Sequence, residues 1–172
     1  MIEIRTLDEA DLPAALPQLS ALLVACVRGG ASVEFLASVT TDDAEAYWLG
    51  ALERATSGQQ VFVVAMEDEQ IVGTVSLVLV RQQNQQHRAE ISKLLVDPGA
   101  RRQGIADRLM EAVEQEAWRR GLTMLVLDTV TGSEASRVYE RRDWQRAGDI
   151  PDYALNPAGE MCSTTLYWKR AP

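Results

Sequence analysis

The sequence predicts an α/β fold: a single domain, residues 1–172, with a mixed, mostly antiparallel sheet and helices on both faces. Three observations carry this. Segments with the two-residue apolar period of strands are interspersed with segments of helical period. Ala89 to Asp128 reads as strand, long helix, strand, an order that requires a parallel crossover, right-handed by the usual rule. A chain of 172 residues with 47% hydrophobic content is long enough for one substantial core and short for two.

Met1 to Arg5 alternates as a first strand. Asp8 or Asp11 can cap a helix with Leu16, Leu19, Leu22, Leu23 and Cys26 on one face, stopped by Arg28-Gly29-Gly30. Asp42, with Glu45 three residues on, opens a second helix through Trp48, Leu49 and Leu52 to Gly58. Val61 to Met66 and Gln70 to Val80 flank the polar turn Glu67-Asp68-Glu69 and form an antiparallel hairpin. Ala89 to Val96 is the next strand. Asp97-Pro98-Gly99 ends it, and Gly104 to Arg120 forms a long amphipathic helix burying Ile105, Leu109, Met110, Val113 and Ala117. Leu122 to Asp128 is an apolar strand buried on both faces, Ser133 opens a short helix, and Thr164 to Lys169 is the last strand. The predicted order is βααβββαβαβ.

Composition narrows the function. With 25 acidic and 17 basic residues the formal charge is −8, which repels phosphate backbones and argues against a nucleic-acid partner. No run approaches membrane-spanning length and no basic, apolar leader opens the chain, so a soluble cytoplasmic protein is expected. Cys26 and Cys162 lie far apart, with no metal or disulfide spacing, and Cys26 belongs to the core. His87 is the only histidine, so no multi-histidine metal site is expected and catalysis must lean on carboxylates, tyrosine and backbone.

The informative segment is Val96-Asp97-Pro98-Gly99-Ala100-Arg101-Arg102-Gln103-Gly104-Ile105-Ala106, where a strand delivers a glycine-containing loop onto a long helix. The first turn of a helix presents unpartnered N–H groups and the positive end of its dipole, so it binds anions. The spacing is neither GxxxxGK[ST] nor GxGxxG. Arg101-x-x-Gly104-x-Ala106, preceded by Lys93-Leu94-Leu95-Val96, instead resembles the pyrophosphate loop of the GNAT superfamily of acyl-CoA N-acyltransferases. Ala135-x-x-Val138-Tyr139-Glu140 is similar to a later helix of that family ending in tyrosine. Gly132, Asp143-Trp144 and Ala106 depart from its commonest residues.

The resemblance implies a sheet with a splayed parallel strand pair and acetyl-CoA as cosubstrate, with no metal. It places Leu94, Leu95, Val96, Arg101, Arg102, Gln103, Gly104, Ile105 and Ala106 against the cofactor. It implies direct attack by an amine through a tetrahedral species, whose oxyanion backbone N–H groups at a bulge near Leu94 and Leu95 stabilise. An alkyl ammonium has a pKa of roughly 10, so a proton must leave before attack. Glu90, with Asp128, is the candidate for that removal, acting through ordered water. Tyr139 is the candidate acid for the leaving thiolate. Glu90 could instead be bound to Lys93 or Arg88, Asp128 could cap the following turn, and Tyr139 could be only a packed aromatic.

Gly29-Gly30-Ala31-Ser32-Val33-x-Phe35, Arg88-Ala89-Glu90-x-x-Lys93-Leu94-x-Val96, Leu127-Asp128-Thr129-x-x-Gly132-Ser133 and Pro151-x-Tyr153 through Thr165-x-Tyr167 resemble family members that acetylate an amino-acid-like β-lactam toxin. This implies a small, amine-bearing acceptor, with Arg28, Ser32, Glu34 and Phe35 as its candidate contacts. Acetylation of a protein amine, or a non-catalytic acyl-CoA sensor, remains the alternative, and the oligomeric state stays open between monomer and homodimer.

Overall fold

A computed structural model describes residues 1–172. Seven strands form one sheet: β1 (Glu3–Thr6), β2 (Gln60–Glu67), β3 (Gln70–Leu79), β4 (Arg88–Val96), β5 (Met124–Val130), β6 (Gln145–Leu155) and β7 (Met161–Arg170). Their order across the sheet is β1-β2-β3-β4-β5-β7-β6, and only β4 and β5 run parallel. Four α-helices accompany them: α1 (Leu12–Arg28), α2 (Thr41–Thr56), α3 (Ile105–Arg119) and α4 (Glu134–Arg141).

The alternation of β2 shows why both faces are covered. Val61, Val63 and Ala65 pack with Ile105, Leu109, Met110 and Val113 of α3, whereas Phe62 and Val64 pack with α1 and α2. All five β2 residues are buried, as a strand between two helical layers must be. Gly73 lets α3 approach β3 closely, since a Cβ there would stand 3.1 Å from Leu109 Cδ1 and from the Leu95 carbonyl oxygen. On the other face the Trp48 indole donates to the Leu19 carbonyl at 2.9 Å and ties α2 to α1.

Several expectations need correction. β6 was not foreseen. Its residues carry Gly148 and Pro151 and are mostly exposed, because the strand lies at the sheet edge, where no apolar alternation is enforced. The α2 cap is Thr40 with Asp43, not Asp42 with Glu45: Thr40 Oγ1 accepts from the Asp43 N–H, and Asp43 accepts from the Thr40 N–H at 2.9 Å. Leu49 of α2 is exposed. β5 begins at Met124 and is buried on one face and only partly covered on the other. A 3-10 turn at Glu9–Asp11 runs straight into α1, and together these 20 residues are long and apolar enough to cross a membrane; half of the stretch is buried against α2 and the sheet. Leu12, Leu19, Leu22, Leu23, Val24 and Val27 are core residues. The other predicted elements stand within a few residues of their expected ends.

Candidate active site

The loop from β4 into α3 is built by short-range backbone bonds. Asp97 Oδ1 accepts the Gly99 N–H at 2.7 Å, Pro98–Ala100 makes a 3-10 turn, and Arg102 and Gly104 take left-handed φ angles of 63° and 74°. None of the backbone N–H groups from Arg101 to Asp107 donates a hydrogen bond within the chain. At α2 and α4, by contrast, Thr40 and Ser133 accept the corresponding orphan donors. A Cβ on Gly104 would meet no heavy atom within 4 Å, so the left-handed backbone, not crowding, favours glycine, and the space before the helix is open. The segment is an anion-binding concavity of successive N–H groups at the positive end of a helix. Arg101 Nε lies 3.4 Å from the Val96 carbonyl and closes the loop onto β4, while Arg102 and Gln103 are exposed. Ile105 is buried beneath the loop and Ala106 is partly covered.

Next to this loop the sheet opens. β4 and β5 pair only through Arg88/Met124, Ala89/Leu125 and Glu90/Val126, although β4 continues to Val96 and β5 to Val130. The β3–β4 register shifts between Thr74/Leu95 and Ser76/Ser92, and Lys93 has φ 52°. The extra residue makes a bulge at Lys93 and Leu94, overlapping the position near Leu94 and Leu95 that the family resemblance implied.

Charged groups converge on that opening. Glu90 is half-exposed and accepts from Arg88 at 3.1 Å, so Arg88, not Lys93, is its cation. The Asp128 carboxyl is accessible yet hemmed in by protein. Burial first, then the nearby Glu34 and Glu90 charges, raise it above the usual aspartate range, and Lys93 opposes them. Asp128 lies two residues inside the end of β5 and its side chain caps no turn. The Tyr139 ring is buried beside Trp144 and Tyr167, with centroids 6.0 and 5.8 Å away. Its hydroxyl makes no hydrogen bond within the chain and is not sealed from solvent. Burial, with the Asp128 charge second, raises the phenol further above its ordinary value and keeps it protonated at neutral pH.

The acceptor side is partly as expected. Glu34 reaches Lys93 at 2.9 Å, and Phe35 stands edge-on to Tyr47 at 5.7 Å. No hydrogen bond or ion pair ties Arg28 or Ser32 to this cluster, and Arg28 is exposed at the end of α1. Two residues escaped sequence reasoning. Lys93 has a side chain only 4% exposed, and its ammonium lies 4.9 Å from the Tyr47 ring centroid. The available signal was a lysine inside the apolar run Ile91–Val96; Tyr47 carried none, because it looks like any aromatic on a core-facing helix.

Residues 30–144 match the model of the acetyltransferase (GNAT) family. This chain belongs to that family. It is 34% identical over 104 residues to an uncharacterized N-acetyltransferase of Azospirillum brasilense, a match spanning 59% of this chain and 60% of that relative. Among solved structures it is similar to an N-acetyltransferase from Staphylococcus aureus Mu50, with a TM-score of 0.79 and 22% identity over 99% of this chain and 98% of the other. A putative acetyltransferase from Salmonella typhimurium, solved with its cofactor acetyl-CoA, gives a TM-score of 0.78 at 21% identity, covering 100% and 98%. A ribosomal-protein-alanine N-acetyltransferase from Brucella melitensis gives 0.77 at 24%, covering 98% and 99%. The chain shares its overall fold with these structures.

Proposed function

We propose that this chain is an acetyl-CoA-dependent N-acetyltransferase acting on a primary amine of a small, amino-acid-like molecule. The observation that carries the proposal is the run of unpartnered N–H groups from Arg101 to Asp107, set beside the opening between β4 and β5. The open space at Gly104 and the charge-attracting end of α3 fit a pyrophosphate. Acetyl-CoA supplies an activated thioester there. The strand segment Leu94 to Val96 would line its arm, and backbone N–H groups at the bulge would stabilise negative charge on the carbonyl oxygen without a side chain. Asp128, with its raised pKa, is the better-matched proton acceptor, and Glu90, held by Arg88, attracts the incoming ammonium. Water between them carries the proton outward. Tyr139, protonated and with its hydroxyl free, donates to the departing sulfur.

The stretches that resemble toxin-acetylating family members favour a β-lactam amino acid such as tabtoxin as one acceptor, with self-protection in the cytoplasm as the purpose. The test is thiol release from acetyl-CoA with amino acids, β-lactam amino acids, polyamines, aminoglycosides and short peptides as acceptors. Saturable turnover of an amino-acid-like amine supports the reading. Turnover of peptide N-termini alone replaces it with a protein-modifying activity, and binding without turnover of any amine with an acyl-CoA sensor.

A further inference from the structure

Lys93 is an unusual lysine. It sits at the β4 bulge with φ 52°, its side chain 4% exposed, and its ammonium lies near enough to Asp128, beside the opening, for that carboxyl to feel its charge. A buried ammonium requires an anionic partner. The one it has is weakly held: Glu34 is an exposed loop residue, its side chain 69% exposed, and it takes a left-handed φ of 76° that is unfavourable for a glutamate. Neither a backbone carbonyl nor a second carboxylate shares the ammonium. The Tyr47 ring below it and Phe35 against Tyr47 complete an apolar wall.

Resting on the acetyltransferase reading above, we propose that Lys93 is the specificity-determining anchor for a carboxylate on the acceptor, and that Glu34 is a stand-in which the acceptor's carboxylate displaces. The acceptor then lies with its amine toward Asp128 and Glu90 and its carboxylate toward Lys93. Arg28, one of the acceptor contacts the sequence offered, is exposed at the end of α1 and has no tie to the opening. The exchange is favourable because a ligand carboxylate swaps one ion pair for another and releases Glu34 to water. An acceptor lacking the carboxylate leaves Glu34 in place and must share the opening with it. A site built to pair a buried charge discriminates strongly against analogues that lack the partner.

The experiment uses matched acceptors: several amino acids, each with its carboxamide and its decarboxylated amine, assayed by thiol release with wild type, Lys93→Met and Glu34→Gln. Wild type is expected to prefer each reactive acid over its amide in kcat/KM. Lys93→Met lowers that acid-to-amide ratio by about 30-fold or more. Glu34→Gln, an exposed change that spares the fold, raises the ratio several-fold by lowering KM for the acid. Equal rates for acid and amide in wild type, or an acid-to-amide ratio unmoved by both substitutions, overturns the proposal while leaving the acetyltransferase reading intact. Thiol release with no member of the set removes that reading and the proposal with it.

Discussion

Glu114 and Trp144 meet in the core: the Glu114 carboxylate accepts the indole N–H at 2.8 Å, while Lys169 and Arg142 reach its other oxygen at 2.9 and 3.0 Å. Three donors from β7 and the α4–β6 turn thus converge on one carboxylate of α3. The junction holds the frame in which Tyr139 packs, because Tyr139 lies against Trp144.

Burial alone would raise the Glu114 carboxyl, but hydrogen bonds from Arg142, Lys169 and Trp144 outweigh it and leave the group below the usual glutamate range. Glu114→Ala should lower stability by about 3 kcal/mol, since it strands partly buried cations and an indole N–H. Urea unfolding measures it. A carboxyl with a lowered folded pKa contributes stability that is complete above the unfolded pKa and is lost as pH falls through the folded one. Wild type should therefore lose stability relative to itself at pH 7 more steeply in acid than Glu114→Gln does. Parallel acid limbs would show that the carboxylate contributes nothing.

Tyr139→Phe should reduce kcat by about 100-fold, the usual yield of a positioned acid. Stability should change by less than about 1 kcal/mol, because the hydroxyl makes no bond within the chain and the ring remains. Chemical denaturation and steady-state kinetics on one preparation separate the two. A large stability loss with unchanged kcat would make the tyrosine a packing residue only.

Asp128→Asn should depress kcat/KM and remove the acidic limb of its pH profile. A base with a raised pKa acts when ionised, so wild-type activity is present above that pKa and falls as pH drops through it. The same raised pKa means that the folded state disfavours the charge, so stability falls as pH rises through it. The asparagine variant should consequently melt at a higher temperature than wild type at neutral pH, a cost of function that active sites commonly carry. A lower melting temperature would contradict this account of the site.

Legibility followed burial. α3 was readable to within one residue at each end, because Ile105, Leu109, Met110, Val113 and Ala117 repeat at helical spacing and all are buried. The β4–α3 loop was readable because Gly104 and its flanking elements are local in sequence. β6 was not, since an exposed edge strand bearing Gly148 and Pro151 obeys no apolar period. Glu34 and Lys93 could not be paired from sequence, because their contact depends on how the α1–α2 connection folds over the bulge. Glu90 was read with two cations available, and only the pleat decides for Arg88.

The central claim, that the N–H groups of Arg101 to Asp107 hold the pyrophosphate of acetyl-CoA, is tested most directly by calorimetric titration of acetyl-CoA into wild type and Gly104→Val. Wild type should bind and, at 100 times the dissociation constant, gain about 2.7 kcal/mol of stability. Gly104→Val, which forces a β-branched residue into φ 74°, should bind at least about 30-fold more weakly. No heat with wild type, or equal affinity in a folded Gly104→Val, would contradict it.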